Sequence, residues 1–516
     1  MKIPAFGESQ CFETKTNNRA RAFVIPSADA ELFSSYCRLL EKEGFEQKEA
    51  RTNGGQFYAA YSRDNIGFFL NYYEGTRELY MVEETDCLYF SFCDKARGQS
   101  VAPQITQVEL EDFGMCYAIR LSDGRFVVMD GGRPFEPDAD RLFKCLKEGS
   151  PYETPVIACW IMTHPHSDHF EGYLAFMAKY ADEVEIESYL LNFPEHDDFE
   201  HYAKLAQSDN RFETDSSSYA NIPPMYEYMK KSGGIIYMGH TGQIYRFTDA
   251  VIEILACMDD TIHATDSINA SSLVMRMELG GQVILFMTDA SFSAAKLNDK
   301  YGSYLKADIL QVPHHGFSNG TTEESIRGYD LISPKVCMMP VSDFNAYYVF
   351  CAYQACTRHL MVNVGIDEMI TGTPQRTITL PYTAPAYAKR ELAEKYLHGH
   401  RSAGANAWIF TELSTAEPDD FVFTILNTTH KISDVWIELF FEDRERNIRY
   451  IKTQIRGLFT KRINIVGDDV DGDALYFNWM SLKEKGIPEN AYFSVRFLCE
   501  TPIVVSHKNH KATYFA

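Results

Sequence analysis

Thr163-His164-Pro165-His166-Ser167-Asp168-His169 packs three histidines and an aspartate into six residues. It follows residues 155–162, Pro-Val-Ile-Ala-Cys-Trp-Ile-Met, a run so apolar that it reads as a strand buried on both faces. A segment leaving the end of such a strand starts from a fixed point, so its side chains can be aimed into one cavity. Imidazole and carboxylate together form a donor set for Zn²⁺, Mn²⁺ or Fe²⁺. A His-rich surface loop is the plain alternative. Against it, five of the fifteen histidines fall in two short motifs, this one and His314-His315.

Outward from that stretch, residues 106–385 alternate between strand and helix patterns. Residues 116–121 and 125–129 flank Ser122-Asp123-Gly124 as a hairpin, and 271–278 and 282–287 flank Gly280-Gly281. A helix is expected over 172–180. This order predicts an α/β domain with sheets inside and helices outside. Residues 1–97 read as a small α+β domain. Ser27 would cap a helix carrying Leu32, Phe33, Tyr36, Leu39 and Leu40, Gly44 would end it, and strands follow at 56–62, 66–73 and 78–83. Residues 94–105 read as a linker. After a charged helix at 387–397, residues 400–516 read as a β-rich, sandwich-like domain with strands at 408–412, 421–426, 435–441, 463–466 and 492–498. In the third of these Val435, Ile437, Leu439 and Phe441 share one face.

His164-x-His166-x-Asp168-His169 resembles the H-x-H-x-D-H signature of the metallo-β-lactamase superfamily. Three further motifs follow that superfamily's order: Asp130-Gly131-Gly132, Thr288-Asp289-Ala290 and Val312-Pro313-His314-His315-Gly316. The resemblance covers 106–385 and implies a four-layer αββα core. The V-P-H-H-G form, with Asn269-Ala270-Ser271-Ser272 upstream, is similar to the hydrolase domains of bacterial competence DNA-uptake channels and to phosphorylcholine esterases, which act on phosphodiesters. It implies that His164 and His166 hold one ion, that Asp168, His169 and His315 hold a second, and that Asp289 bridges them. Two zinc ions are expected, with manganese or iron as alternatives. Such ions lower the pKa of a water to about 7 and so supply hydroxide. Asp168 would also hold that water, and His314 would contact a substrate oxygen. Asp130 and Asn269 would support the ligands from behind.

Three positions depart from the pattern. Asn269 stands where thioesterases and lactamases of the superfamily carry the histidine of a G-H-T-x-G-S motif. His196 and His263 are candidate replacements, though each reads more simply as a loop histidine. His240, in Gly239-His240-Thr241, matches G-H-T but lies too far upstream of Asp289 to take the same place. Thr288 replaces a glycine that lets the backbone approach the metal. After Pro340, Phe344-Asn345-Ala346-Tyr347-Tyr348 lacks the histidine of competence-type relatives.

The length of 516 residues exceeds one core and fits two or three domains. With 49 basic and 72 acidic residues the net charge is -23, which repels polyanions. A small-molecule substrate is therefore expected in preference to nucleic acid, and homo-oligomerisation is left open. No run approaches the ~18–20 apolar residues of a membrane span, and MKIPAFGESQ lacks a secretory pattern. The twelve cysteines include no C-x-x-C pair. A cytoplasmic location with free thiols is the expectation. Two acidic stretches, 195–201 and 467–473, read as solvated turns before they read as ligand sites. The activity expected is metal-dependent hydrolysis of a phosphodiester or phosphorylated small molecule. Hydrolysis of an ester, lactone or amide is the second reading, and a metal-binding module with weak catalysis the third.

Overall fold

The structure is a computed structural model that describes residues 12–15, 19–112, 114–193, 216–260, 268–317, 320–342, 346, 355–389, 392, 405–414, 422–427, 433–441, 448–455, 460–464, 492–507 and 513–515. The chain divides into two compact units. One comprises Met1–Ala346 with Leu360–Lys389, the other Tyr347–His359 with Arg390–Ala516.

The first unit contains three sheets. An antiparallel six-stranded sheet runs in the order Phe12–Lys15, Ala20–Ile25, Glu78–Thr85, Ile66–Tyr73, Gln56–Arg63, Glu46–Asn53. The helix Ala30–Lys42 covers one face through Phe33, Tyr36 and Leu40. Its N-cap is Asp29, whose carboxylate accepts the Leu32 amide at 2.8 Å, and not Ser27, which sits at φ +58° before it. Carboxylate caps of this kind satisfy an amide that the helix itself leaves open.

Two mixed sheets follow. The central strands of the first are Ser188–Leu191, Val156–Ile161 and Phe126–Asp130, all parallel, continuing into the antiparallel Cys116–Arg120 and Gln104–Gln107. The second runs Ala250–Ala256, Val274–Leu279, Gln282–Phe286, Ile309–Gln311, Val336–Ser342, Glu368–Thr373, turning from antiparallel to parallel after Gln282–Phe286. Alternate residues from both meet in one core, for example Tyr117, Val127, Met129 and Ile161 against Met275, Met277, Ile284 and Phe286. On the outer face of the first sheet Val128, Trp160 and Met162 pack on the helices Glu136–Gly149, Ser167–Tyr180 and Ser216–Ser232. This double burial explains why Val156–Ile161 is apolar at every position. Among the described residues no helix is long and apolar enough to cross a membrane.

The six-stranded sheet falls in the same compact unit as the two mixed sheets. Its inner face joins the central core through Ala22, Tyr58, Ala60, Phe69 and Val82. The stretch 94–105, expected as a linker, is pinned along its length. Asp94 pairs with the buried Arg125 at 2.8 Å, Arg97 pairs with Glu187 at 3.0 Å, and the Val101 amide donates to Ser122 O at 2.8 Å.

In the second unit the strand Tyr492–His507 pairs along its first half with Ala405–Ser414 and Ser433–Phe441, and along its second half with Val422–Asn427. One strand thus serves both parts of a β-rich core, and Val435, Ile437, Leu439 and Phe441 all point into it. Most of the helix expected at 387–397, and all of 467–473, lie outside the described residues.

Candidate metal centre

The strand Val156–Ile161 delivers Thr163 and His164 to the rim of the core, fully buried. The helix Ser167–Tyr180 then begins with His166 as its N-cap, so Asp168 and His169 stand on its first turn and not in a loop ahead of a helix at 172. Helical geometry turns both side chains back toward the strand end. The approach is close because two glycines face each other there. The Gly172 amide donates to Gly132 O and the Gly131 amide to His169 O, each at 2.7 Å. A Cβ on Gly172 would stand 1.9 Å from Gly131 O. Gly172→Ala is therefore expected to push the helix off the strand. It should cost at least about 1–3 kcal/mol and weaken metal binding by displacing Asp168 and His169. Unchanged metal affinity, measured by chelator competition, would refute this placement.

Asp289 is the hub. Its Oδ2 lies 3.2 Å from His169 Nε2, 3.5 Å from His315 Nε2, 3.7 Å from His164 Nε2 and 4.0 Å from His314 Nε2. His164 Nε2 and His166 Nδ1 are 3.1 Å apart, His169 Nε2 and His315 Nε2 3.2 Å, and His315 Nε2 and Asp168 Oδ2 3.2 Å. Donors bound tetrahedrally at about 2.0–2.2 Å stand about 3.3–3.6 Å from one another, and these spacings scatter by a few tenths of an ångström about that range. Two overlapping groups bring one donor atom from each residue within 4.8 Å of the others: His164, His169 and Asp289, and Asp168, His169 and His315. The donor set fits the divalent cations expected from the sequence.

Behind the ligands, Asp130 Oδ2 takes His169 Nδ1 at 2.7 Å and the Thr163 hydroxyl at 2.7 Å, while its Oδ1 takes the Thr163 amide at 2.8 Å. This fixes the His169 tautomer so that Nε2 faces Asp289. Thr163 was not singled out as functional, and its one signal was its place directly before His164. Replacement of Asp130 by asparagine is expected to weaken metal affinity by roughly 10–100-fold, as read by chelator competition.

The backbone is strained where the site is built. Asp130, Thr288, His314 and His315 all have φ between +50° and +56°, a region costly for residues other than glycine. Thr288 takes the conformation that its usual glycine would adopt freely. It is held there by the His314 amide on its carbonyl at 2.8 Å and by its own hydroxyl on Leu273 O at 3.2 Å.

The electrostatics divide the imidazoles. Burial and the neighbouring His169 hold His164 well below its ordinary pKa, which keeps its nitrogen available as a ligand. Burial alone would lower His169, yet Asp289, Asp130 and Asp168 hold it well above the ordinary value. His315, against the same opposition from burial, is pushed up to about 9 by Asp289 and Asp168. Those histidines and the Asp289 carboxyl, held far below its usual range, form a charge-compensated cluster.

Asn269 does not join the ligands. Its amide nitrogen lies 3.3 Å from His314 Nε2, beside the half-buried ring that lines the open side. His240 is elsewhere in the molecule, and His196 and His263 lie outside the described residues.

No protein-family model and no curated protein matches the chain. Solved structures do. A metallo hydrolase, Igni18, from the hyperthermophilic archaeon Ignicoccus hospitalis is 11% identical, covering 54% of this chain and 100% of its own, with a TM-score of 0.31. A metallo β-lactamase from Erythrobacter litoralis is 7% identical over 55% of this chain and 86% of its own, with a TM-score of 0.20. The Anabaena sensory rhodopsin transducer is 22% identical over 21% of this chain and 84% of its own, with a TM-score of 0.16.

Proposed function

We propose that the chain is a metal-dependent hydrolase whose centre holds two divalent ions, zinc foremost, and acts on a phosphodiester or other phosphorylated small molecule. The observation that carries this reading is the convergence of four imidazoles within 4.0 Å of one oxygen of Asp289, with neighbouring donors at ligand spacing.

His164 and His166 would hold one ion, Asp168, His169 and His315 the other, and Asp289 both. Bound there, the ions would supply Lewis acidity toward a substrate oxygen and acidify water. The chain's own residues do the rest. Asp168 would accept a hydrogen bond from the attacking water, and Asp130 keeps His169 oriented. His314 and Asn269 sit side by side, where the half-buried imidazole would contact a substrate oxygen and the second amide N–H of Asn269 could donate to it. The net charge of -23 favours a small substrate over a polyanion. That same charge is the specific support for a second reading, hydrolysis of an uncharged ester, lactone or amide.

A panel of bis-nitrophenyl phosphate, nitrophenyl esters and a lactone separates the two, with turnover of the phosphodiester expected. Elemental analysis of protein purified without chelators accompanies it, beside an Asp168→Ala, His169→Ala double variant. Loss of metal in the variant is expected. A wild type that neither contains nor takes up metal would overturn the hydrolase reading and leave a binding scaffold.

A further inference from the structure

A second buried cluster lies outside the Asp289 centre. His240 comes after the strand Ile235–Met238, Cys257 directly follows the strand Ala250–Ala256, and Asp259 lies two residues on. One donor atom from each falls within 4.8 Å of the others, and all three residues are buried. His240 Nδ1 makes a very short contact with Asp259 Oδ2, and Cys257 Sγ stands 3.2 Å from that oxygen. We propose that His240 Nδ1, Cys257 Sγ and Asp259 form a closed, thiolate-containing zinc site of structural character.

The surroundings are those a metal site requires. On the far side of the imidazole, His240 Nε2 faces Glu84 Oε2 at 3.5 Å, the carboxylate–histidine arrangement that orients a metal-binding ring. The other oxygen of Glu84 is held by Arg19 at 3.0 Å. Thr241 Oγ1 and Asn192 Nδ2 line the sulfur at 3.5 and 3.7 Å, the hydroxyl donating to Asp260 and the amide to Gly239 O at 2.9 Å and Asp259 Oδ2 at 3.2 Å. The Phe69 ring stacks on His240 with centroids 5.3 Å apart and closes the site to solvent.

A simple His240–Asp259 ion pair explains less. In it the Cys257 thiol would donate to Asp259 Oδ2 at 3.2 Å, while Asp259 Oδ1 stays buried without a hydrogen bond and His240 Nε2 and Glu84 Oε2 stand at 3.5 Å, beyond a well-made bond. A divalent cation balances the Cys257 thiolate and the Asp259 carboxylate. It also leaves His240 neutral, with its Nε2–H free to turn to Glu84. Cys, His and carboxylate are the ordinary donors of zinc. The proposal does not depend on the chemistry of the first centre, where neither donor group contains sulfur.

That difference makes the two sites separable by spectroscopy. Cobalt substituted into the full-length protein is expected to show a near-ultraviolet sulfur-to-cobalt charge-transfer band. The band should vanish in Cys257→Ser, with loss of about one equivalent of metal, and persist in the Asp168→Ala, His169→Ala variant. A band that survives Cys257→Ser, as binding at the exposed Cys93 would produce, overturns the proposal, and so does a wild type lacking the band. Should Cys257→Ser fail to fold, X-ray absorption at the zinc edge of the wild type decides. A sulfur neighbour at about 2.3 Å is expected, and its absence refutes the site. Failure of the hydrolase reading would appear instead as no turnover with the sulfur signature intact.

Discussion

Asp289→Asn is expected to lower turnover by roughly 10²–10³-fold and to reduce bound metal, while leaving the protein folded. The substitution keeps the shape of the side chain and removes its charge. Oδ2 of Asp289 lies 3.2–4.0 Å from His164, His169, His314 and His315, so on the proposed reading it would serve both ions. Its loss would remove that shared contact and a negative charge that offsets bound metal. Stabilisation of transition-state charge by bound metal amounts to several kcal/mol, and each ~1.4 kcal/mol is tenfold in rate, which sets the range. Folding should change little, because His169 keeps Asp130 at 2.7 Å and His315 keeps Asp168 at 3.2 Å. Metal analysis, steady-state rates and circular dichroism on the same preparation check all three statements. Retention of metal and of activity would show that the cluster is not the reaction centre.

Much of this centre was legible because it depends on residue identity and order. The apolar run 155–162 marks a strand buried on both sides, and a His/Asp cluster directly after it has few other uses. What escaped was geometry that sequence carries weakly. Pro165 and the polar residues around it read as loop, so the helix was expected at 172, whereas it begins at Ser167 and places Asp168 and His169 on its first turn. The edge strand Glu46–Asn53 is polar and largely exposed, so it has no apolar alternation to announce it. It forms because Gln56–Arg63 offers a ladder beside it. The left-handed backbone at Asp130, His314 and His315 leaves no mark on residue type, and only Thr288 hinted at it by standing where glycine is usual. His240 was set aside for its distance along the chain from Asp289. That judgement separated it from the first centre but could not reveal that Cys257 and Asp259 meet it in space. The polar composition of 94–105 suggested a linker because the ion pairs that anchor it come from residues far along the chain.

Those anchors give the largest stability effect expected outside the centre. Arg125 is completely buried, and its guanidinium serves Asp123 through Nε at 2.7 Å, Glu187 through Nη1 at 2.7 Å and Asp94 through Nη2 at 2.8 Å, with the Thr248 hydroxyl at 3.0 Å. Four segments distant in sequence are thereby tied to one planar group. Arg125→Met keeps the stem but takes the shared cation from three carboxylates in or near the core, of which Glu187 still has Arg97. Breaking a buried pair in this way costs about 3–5 kcal/mol, because the desolvation of the remaining charge is no longer compensated. Urea unfolding should show that loss, and metal bound per folded molecule should be unchanged, since Arg125 touches none of the ligands. Arg125→Lys should recover only part, as one ammonium cannot reproduce a fork directed at three partners. The exposed pair Lys144–Glu148, at 3.9 Å, serves as the contrast, and its removal should be almost silent. Acid adds an independent check. Burial raises the Asp123 pKa, but the Arg97 amide, the Thr248 hydroxyl and Arg125 together hold it below the ordinary value. Its stabilising contribution is therefore complete above the unfolded pKa of about 3.9 and is lost as pH falls through the depressed folded value. The stability gap between wild type and Arg125→Met should be widest near neutral pH and narrow in strong acid. A gap below about 1 kcal/mol at neutral pH would mean that the carboxylates find other partners and that Arg125 does not hold these segments together.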